Sequence, residues 1–496
     1  MSYNRNSRRD FLRKLACVAC TGGTAAMIPQ LRMIGSALAN TKALSGYKAL
    51  VCIYLSGGND AWNLVVPFDT ARYNVYATAR SGVYTVGGAN PNPGGLGLTQ
   101  PTGGQIAIQK IIDGNDASST TNQYFMHPNA PELAKLFQQN HLALAINIGT
   151  LVKPIDKTAY NASASNRPPQ LFSHSDQENL WHQANTNGSS VMGWGGLCGD
   201  KLQPNNPNQQ LSSCISIAGA NRFEVGMSTV PYQMSSGGLK QLSDVCNPSG
   251  CTGTSGQRDV ALNQLLGDTY ASDFPGEYAK VFQRGRDLYS LLNTGLAGTT
   301  IKTSFPANNS LASQLLMVAK MIKLSKASGY AQRQIYYVRT GGFDLHANMM
   351  SGAGNHGTLL TGLSQALNAF YASMGPTDVN AQNEVTAFTA SEFARTLQSN
   401  GSGSDHGWGG VQMVLGGAVN GGKLYSDGGG LISGFPNQAL NAPNNFSRGQ
   451  MIPGIGVEQY GATLAQWMGV TVSDCNTIFP NLGAGNFGTH NNLGFV

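Results

Sequence analysis

The feature that most constrains this chain is a short apolar run that ends abruptly at a polar cluster. Tyr47 to Leu55 (YKALVCIYL) shows no alternation of apolar and polar positions, and Ser56-Gly57-Gly58-Asn59-Asp60 follows at once. A run of this length with apolar residues on both faces is a strand covered on both sides, as in a parallel sheet flanked by helices. Leu142 to Ile148, Gln334 to Val338, Val385 to Thr389 and Val411 to Val419 read the same way. Between them lie stretches of helical spacing: Pro131 to Gln139, 171–184, 309–326 (Leu311, Leu315, Leu316, Ala319, Ile322), 357–374 and Glu458 to Met468. Strands alternating with amphipathic helices predict an α/β fold with a mostly parallel sheet. Two Gly/Asn-rich stretches without periodicity, near 81–110 and 234–257, read as loop insertions.

In such sheets, ligands bind beyond the carboxyl ends of the strands. Polar clusters fall there repeatedly in this chain. Asp60 follows the first strand, Asp344 and His346 follow the strand 334–338, and Glu392 follows the strand 385–389. Asp405-His406 lies in the Gly/Ser-rich loop after Glu392. Carboxylate oxygen combined with imidazole nitrogen suits a divalent ion such as Zn, Mn, Mg or Ca. Asp344 and His346, two apart, point the same way if the backbone is extended, as two ligands of one ion require. Adjacent Asp405 and His406 are expected to turn towards one cation, and Asp60 adds a third acid. The chain has 8 His, so two Asp/His pairs at strand ends stand out. His174 is a further candidate ligand, whereas His182 reads as a surface residue. Arg395 is either a clamp for phosphate or sulfate oxygens or a structural partner of Glu392. Trp194 and Trp408, each flanked by Gly, read as packing residues or pocket walls. No phosphate-binding loop or dinucleotide fingerprint occurs, so nothing supports a redox-cofactor protein.

The net charge is +6, but residues 1–39 hold Arg5, Arg8, Arg9, Arg13, Lys14 and Arg32 against Asp10 alone. The rest of the chain is nearly neutral, which excludes the basic face that a nucleic-acid binder needs. Arg8-Arg9 before Phe11-Leu12, a mild apolar stretch to Ile28 and Ala37-Leu38-Ala39 resemble a twin-arginine signal peptide. The expectation is a leader over 1–39, cleaved after Ala39, with 40–496 exported by the twin-arginine translocase to the periplasm or secreted. Gly22, Gly23 and Pro29 interrupt the apolar stretch, which is too short for a transmembrane span, and no other candidate span is found. Six cysteines follow the leader, and in an oxidising compartment Cys246–Cys251, set in a Pro-Ser-Gly loop, is the expected disulfide.

Five ordered motifs carry a resemblance: LSGGND (55–60), LFSHSDQ (171–177), GGFDLH (341–346), SEFART (391–396) with SDHGWGG (404–410), and YGATLAQWMG (460–469). Over nearly the whole mature chain they resemble a family of exported proteins with a sulfatase-like domain of unknown function. That family is grouped with the alkaline phosphatase superfamily and commonly carries a twin-arginine leader. The resemblance implies an alkaline-phosphatase-like core, one or two divalent ions and hydrolysis of a small phosphate or sulfate ester by a metal-activated serine. It makes Asp60 and Asp405-His406 similar to the ligands of one ion and Asp344 similar to the Asp of the other. Ser173 or Ser175 is placed like the nucleophile, at a helix start whose dipole favours an anionic ester. The superfamily spaces its second Asp and His four apart, whereas here His346 is two after Asp344 and Asn348 is four after. The last His of the pattern has no secure counterpart in His356 or His490. These departures leave a second expectation, a non-catalytic protein of the same fold that binds or assembles with a cell-surface component.

Overall fold

Residues of alternating direction in Lys48–Leu55 bury on opposite faces. Val51, Ile53 and Leu55 enter one core, and Leu50, Cys52 and Tyr54 enter the other. The strand they form sits inside a nine-stranded sheet with a core on each side. The computed structural model describes residues 44–496 apart from 116–117, 187–189, 240–253, 269–272 and 430–433. The expected leader over 1–39 and the expected disulfide Cys246–Cys251 lie outside the described residues.

The strands of the main sheet, in chain order, are β1 (Lys48–Leu55), β2 (Leu142–Gly149), β3 (Cys214–Ser216), β4 (Tyr232–Gln233), β5 (Arg333–Thr340), β6 (Val385–Ala390), β7 (Gly410–Gly416), β8 (Leu424–Tyr425) and β9 (Ile455–Gly456). Their lateral order is β8-β2-β7-β6-β1-β5-β3-β4, and β9 also pairs with β2. Pairing is parallel throughout except at β7, which runs antiparallel to β2 and β6. The mostly parallel sheet is as expected; the reversed strand is new, and it matters for the site. Because β7 runs back beside β6, the connection 391–409 stays at the carboxyl edge of the sheet. Register aligns the exits: Leu55 lies opposite Thr340, and Tyr54 opposite Ala390. The segments after β1, β5 and β6 therefore emerge side by side.

Helices cover both faces. On one side α1 (Pro131–Gln138), α4 (Ser310–Ser328) and α5 (His356–Ser373) bury Leu133, Leu315 and Leu363. On the other, α2 (His174–Gln183), α3 (Trp194–Leu202) and α6 (Val457–Met468) bury Trp181, Trp194 and Leu464. Local chemistry sets their ends: the Asn309 side chain accepts from the Ala312 amide to start α4, and Gly329 in the left-handed region stops it.

Two expectations about the insertions need correction. The stretch near 81–110 is irregular at first but ends in a helix, Gln105–Gln109, and a strand, Lys110–Ile112. That strand completes a small antiparallel sheet with Gln123–Met126 and Val65–Pro67. The stretch near 234–257 leads into helices Thr254–Gly267 and Asp273–Ala297, which sequence reading did not assign. Among the described residues no disulfide forms, and Cys52, Cys198, Cys214 and Cys475 are buried free thiols. No helix among the described residues is long and apolar enough to cross a membrane.

Candidate metal centre

Three imidazoles and one carboxylate meet where the strand exits lie side by side. Asp344 and His346 come from the segment after β5, His406 from the β6–β7 connection, and His174 from the first position of α2. Asp344 Oδ1, His346 Nε2 and His406 Nε2 form a triangle with edges of 3.1, 3.4 and 3.0 Å. His174 Nε2 lies 3.5 Å from Asp344 Oδ2, and ligand atoms of His174, Asp344 and His406 all lie within 4.8 Å of one another. A tetrahedral zinc with bonds of ~2.0–2.1 Å separates neighbouring ligand atoms by about 3.3 Å. The triangle has that size.

The outer nitrogen of each imidazole is already taken. His174 Nδ1 is 2.8 Å from Glu392 Oε1, His406 Nδ1 is 2.7 Å from the Phe172 carbonyl, and His346 Nδ1 is 3.2 Å from Asp405 Oδ1. All three partners are acceptors, so each Nδ1 carries the proton and each Nε2 presents a lone pair inward. Lone pairs facing one another and a carboxylate at these distances repel unless a proton or cation lies among them. Acceptors behind the ligand nitrogens are what orient histidines on a metal. The donor set therefore fits a divalent ion. Among the described residues His174, Asp344 and His406 are the one group of three that could share an ion, and His346 lies beside them.

Electrostatics follow the same contacts. The hydrogen bond to Glu392 raises His174 above the ordinary imidazole value, against the effect of burial. Burial lowers His406, and the nearby Arg395 adds to this. For Asp344, burial pushes the carboxyl up, but the hydrogen bond and charge of Arg395, with His346 and His174, hold it below the usual range. Glu392 is anchored in turn by the Gly57 amide at 2.7 Å and the Tyr54 hydroxyl at 3.2 Å.

Arg395 is fully buried and commits its fork to the protein. It donates to Asp344 Oδ1 at 2.8 Å, to the Gly57 carbonyl at 3.2 Å, and to the carbonyl and hydroxyl of Ser404. It does not pair with Glu392; it positions Asp344. Close backbone approach completes the frame. Gly57 has φ of 118°, and a Cβ there would lie 2.3 Å from the Asp344 nitrogen. At Gly403 a Cβ would lie 2.2 Å from the Leu345 carbonyl and 2.7 Å from that of His346. Gly403→Ala must therefore push the β6–β7 connection away from His346. The expected result is a divalent-ion affinity lower by about 10–100-fold, the usual cost of losing ligand orientation, with an unchanged circular dichroism spectrum. Equal affinity in a metal titration would show that this contact does not set His346.

The other sequence-derived candidates fall nearby but not in the donor set. Asp405 does not turn to the same point as His406; it holds His346 Nδ1 and is itself held by Arg448 and Asn400. Asp60 is 1% exposed and pairs with Arg80, which is 0% exposed. Arg80 also donates to the carbonyls of Thr396 and Leu397 at 3.1 and 3.2 Å. Asp60 thus anchors the base of the same connection from below. Ser173 and Ser175 stand at the start of α2, as expected. The Ser173 hydroxyl lies 2.6 Å from Asp176 Oδ2 and 3.4 Å from the Ser175 hydroxyl, and Ser175 is exposed. His182 is buried against Tyr54 and Tyr337 rather than on the surface, and burial lowers it to about 3. Trp194 and Trp408 are core residues, with Trp408 Nε1 donating to the Thr150 carbonyl at 2.9 Å.

Sequence reading ranked His174 below the Asp/His pairs and gave Glu392 no role on it. The one available signal was an acid at a strand exit, and its partner lies 218 residues away. No curated protein matches the chain. A domain described as a protein of unknown function, DUF1501, spans residues 305–456 and so holds Asp344, His346, Glu392, Arg395, Asp405 and His406.

Proposed function

We propose that this chain is a metal-dependent hydrolase of phosphate or sulfate esters, built on the alkaline-phosphatase-like core that its motifs imply. Export through the twin-arginine translocase to the periplasm or beyond belongs to the same proposal, on the evidence of Arg8-Arg9 and Ala37-Leu38-Ala39. The observation that carries it is the convergence of three imidazole Nε2 atoms on Asp344, each imidazole oriented by an acceptor at Nδ1. Three nitrogens with one carboxylate favour Zn over Mn, Mg or Ca. A divalent ion held there supplies Lewis-acid polarisation of an ester oxygen. Arg395 keeps Asp344 ionised and in place, and Glu392 keeps His174 turned inward. Ser173 is the nucleophile we propose: it is half-buried, precedes His174, and its hydroxyl already donates to Asp176, where a base must sit to take that proton.

Metal analysis of the purified chain by mass spectrometry, run beside a panel of phospho- and sulfo-esters, tests the reading. One equivalent of divalent ion and turnover that falls in Ser173→Ala are expected. Ser175→Ala should retain turnover. Metal without turnover would favour the non-catalytic reading, a binding or assembly protein at the cell surface. One observation favours that alternative: neither serine hydroxyl touches the donor set.

Protons compete with the ion at His174. Because Glu392 raises this imidazole above its ordinary value of 6.5, the protonated form blocks Nε2 at a higher pH than a free histidine would. Affinity for the ion is therefore expected to begin falling on acidification at a higher pH than an unperturbed histidine would give. Glu392→Gln should weaken binding by about 10–100-fold at neutral pH. Metal titrations at graded pH check both, and an affinity that does not change with pH across the imidazole range would remove His174 from the ligand set.

A further inference from the structure

We propose that a recess beside the metal centre is a subsite for an oxyanion carried on an aromatic or alkyl body. On the hydrolase reading, on which this assignment of substrate rests, it holds the non-reacting end of the ester. The substrate class is then a phosphate or sulfate ester whose leaving group bears a second carboxylate, sulfate or phosphate.

The recess has a volume of about 530 Å³ and is lined by Val152, Tyr160, Arg167, Gln170, Phe172 and Thr186, among others. That is the size of a small-molecule site, ~300–1,000 Å³. Tyr160 in its lining is backed by Phe446, the rings 4.1 Å apart, centroid to centroid, at an interplanar angle of 24°. The Arg167 guanidinium lies over Tyr160 at 4.4 Å. This arginine forms no ion pair among the described residues, and its Nε is buried without a hydrogen-bond partner. A planar cation held on an aromatic face, with no acidic partner among the described residues, is the kind of group that recognises a carboxylate, sulfate or phosphate.

The wall that carries it is fixed in advance. Pro168 and Pro169 stiffen the segment, and Gln177 Nε2 donates to the carbonyls of Pro169 and Gln170 at 2.9 and 3.1 Å. Gln177 is held in turn by the Thr150 hydroxyl at 2.6 Å. Gln170 adopts a φ of 48°, a left-handed conformation that a non-glycine residue keeps only where its surroundings enforce it. Phe172 links the recess to the metal centre: it lines the recess, its carbonyl accepts from the outer nitrogen of His406 at 2.7 Å, and it stands two residues before His174. A ligand in the recess therefore lies one residue away from the ring of His406.

The test is binding of benzenesulfonate to the full-length chain by calorimetry in a chelating buffer, where the metal centre cannot contribute. Benzyl alcohol is the neutral control. Benzenesulfonate is expected to bind, Arg167→Gln to weaken it about tenfold or more, and Arg167→Lys to fall between. Benzenesulfonate binding no better than benzyl alcohol, or equally well to Arg167→Gln, would overturn the subsite. If Arg167→Gln does not fold, Arg167→Lys decides: unchanged affinity overturns the subsite, and affinity lower by a few fold supports it. A chain that binds benzenesulfonate but hydrolyses no ester keeps the subsite and loses the hydrolase. Ester turnover without benzenesulfonate binding does the reverse.

Discussion

On the proposed metal reading, Asp344→Asn is expected to weaken divalent-ion binding sharply while leaving the fold intact. Asp344 is the point on which the three imidazoles converge, with Oδ1 3.1 Å from His346 Nε2 and 3.4 Å from His406 Nε2, and Oδ2 3.5 Å from His174 Nε2. It supplies the one negative charge in direct contact with all three. Replacing it by the isosteric amide removes the one charged ligand and leaves three imidazoles with a weaker amide oxygen, so a dication is held less tightly. The affinity loss should exceed the about 10–100-fold that loss of an orienting partner causes. The structural cost is small, because Asp344 is 46% exposed and an Asn oxygen still accepts from Arg395. His406→Ala should also empty the site, but with some loss of stability, since the ring stacks on Phe393 at 4.4 Å. Metal analysis after dialysis reads both variants. Full occupancy in Asp344→Asn would mean that the ion, if present, is held elsewhere.

How much of this was legible in the sequence depends on the physics behind each feature. The buried strands were readable because two-faced apolarity leaves few alternatives: Lys48–Leu55 and Arg333–Thr340 lie within a few residues of the expected runs. The direction of a strand was not. A run such as that of β7 is equally apolar read either way, so nothing local said that it turns back beside β6. That reversal keeps 391–409 at the carboxyl edge, where Arg395 and His406 form an antiparallel bridge. In extended backbone adjacent side chains point to opposite sides. Asp405 and His406, expected on one ion, therefore divide, His406 to the donor set and Asp405 to the outer nitrogen of His346. The same rule governs residues two apart. Asp344 and His346, two apart, both reach the donor set. The orienting partners were invisible for another reason, since each is a contact across a long sequence separation whose partner has no spacing to betray it.

Asp60 separates two roles by experiment. As a ligand, its loss would lower metal content and leave stability unchanged. As the partner of Arg80, its loss should do the opposite. Arg80 is 0% exposed, and Asp60 is its acidic partner among the described residues. The other side-chain contacts of Arg80 are the carbonyls of Thr396 and Leu397, and its Nε has no partner. Burial raises the Asp60 carboxyl, and the charge of Arg80 opposes that rise. Removing the acid leaves a buried guanidinium with no compensating charge, which typically costs about 3–5 kcal/mol. Asp60→Asn is therefore expected to lose stability of that order in urea denaturation. The measurement belongs in chelator, so that bound ion does not add its own stabilisation. The fraction that remains folded should still take up the ion, because Arg395 and the Nδ1 partners that set the donors are untouched. Removing both charges, as Asp60→Leu with Arg80→Met, should recover most of the loss, since a buried pair replaced by apolar side chains of similar volume is often neutral. A single variant as stable as wild type but unable to bind metal would instead make Asp60 a ligand, reached by a rearrangement of the β6–β7 connection.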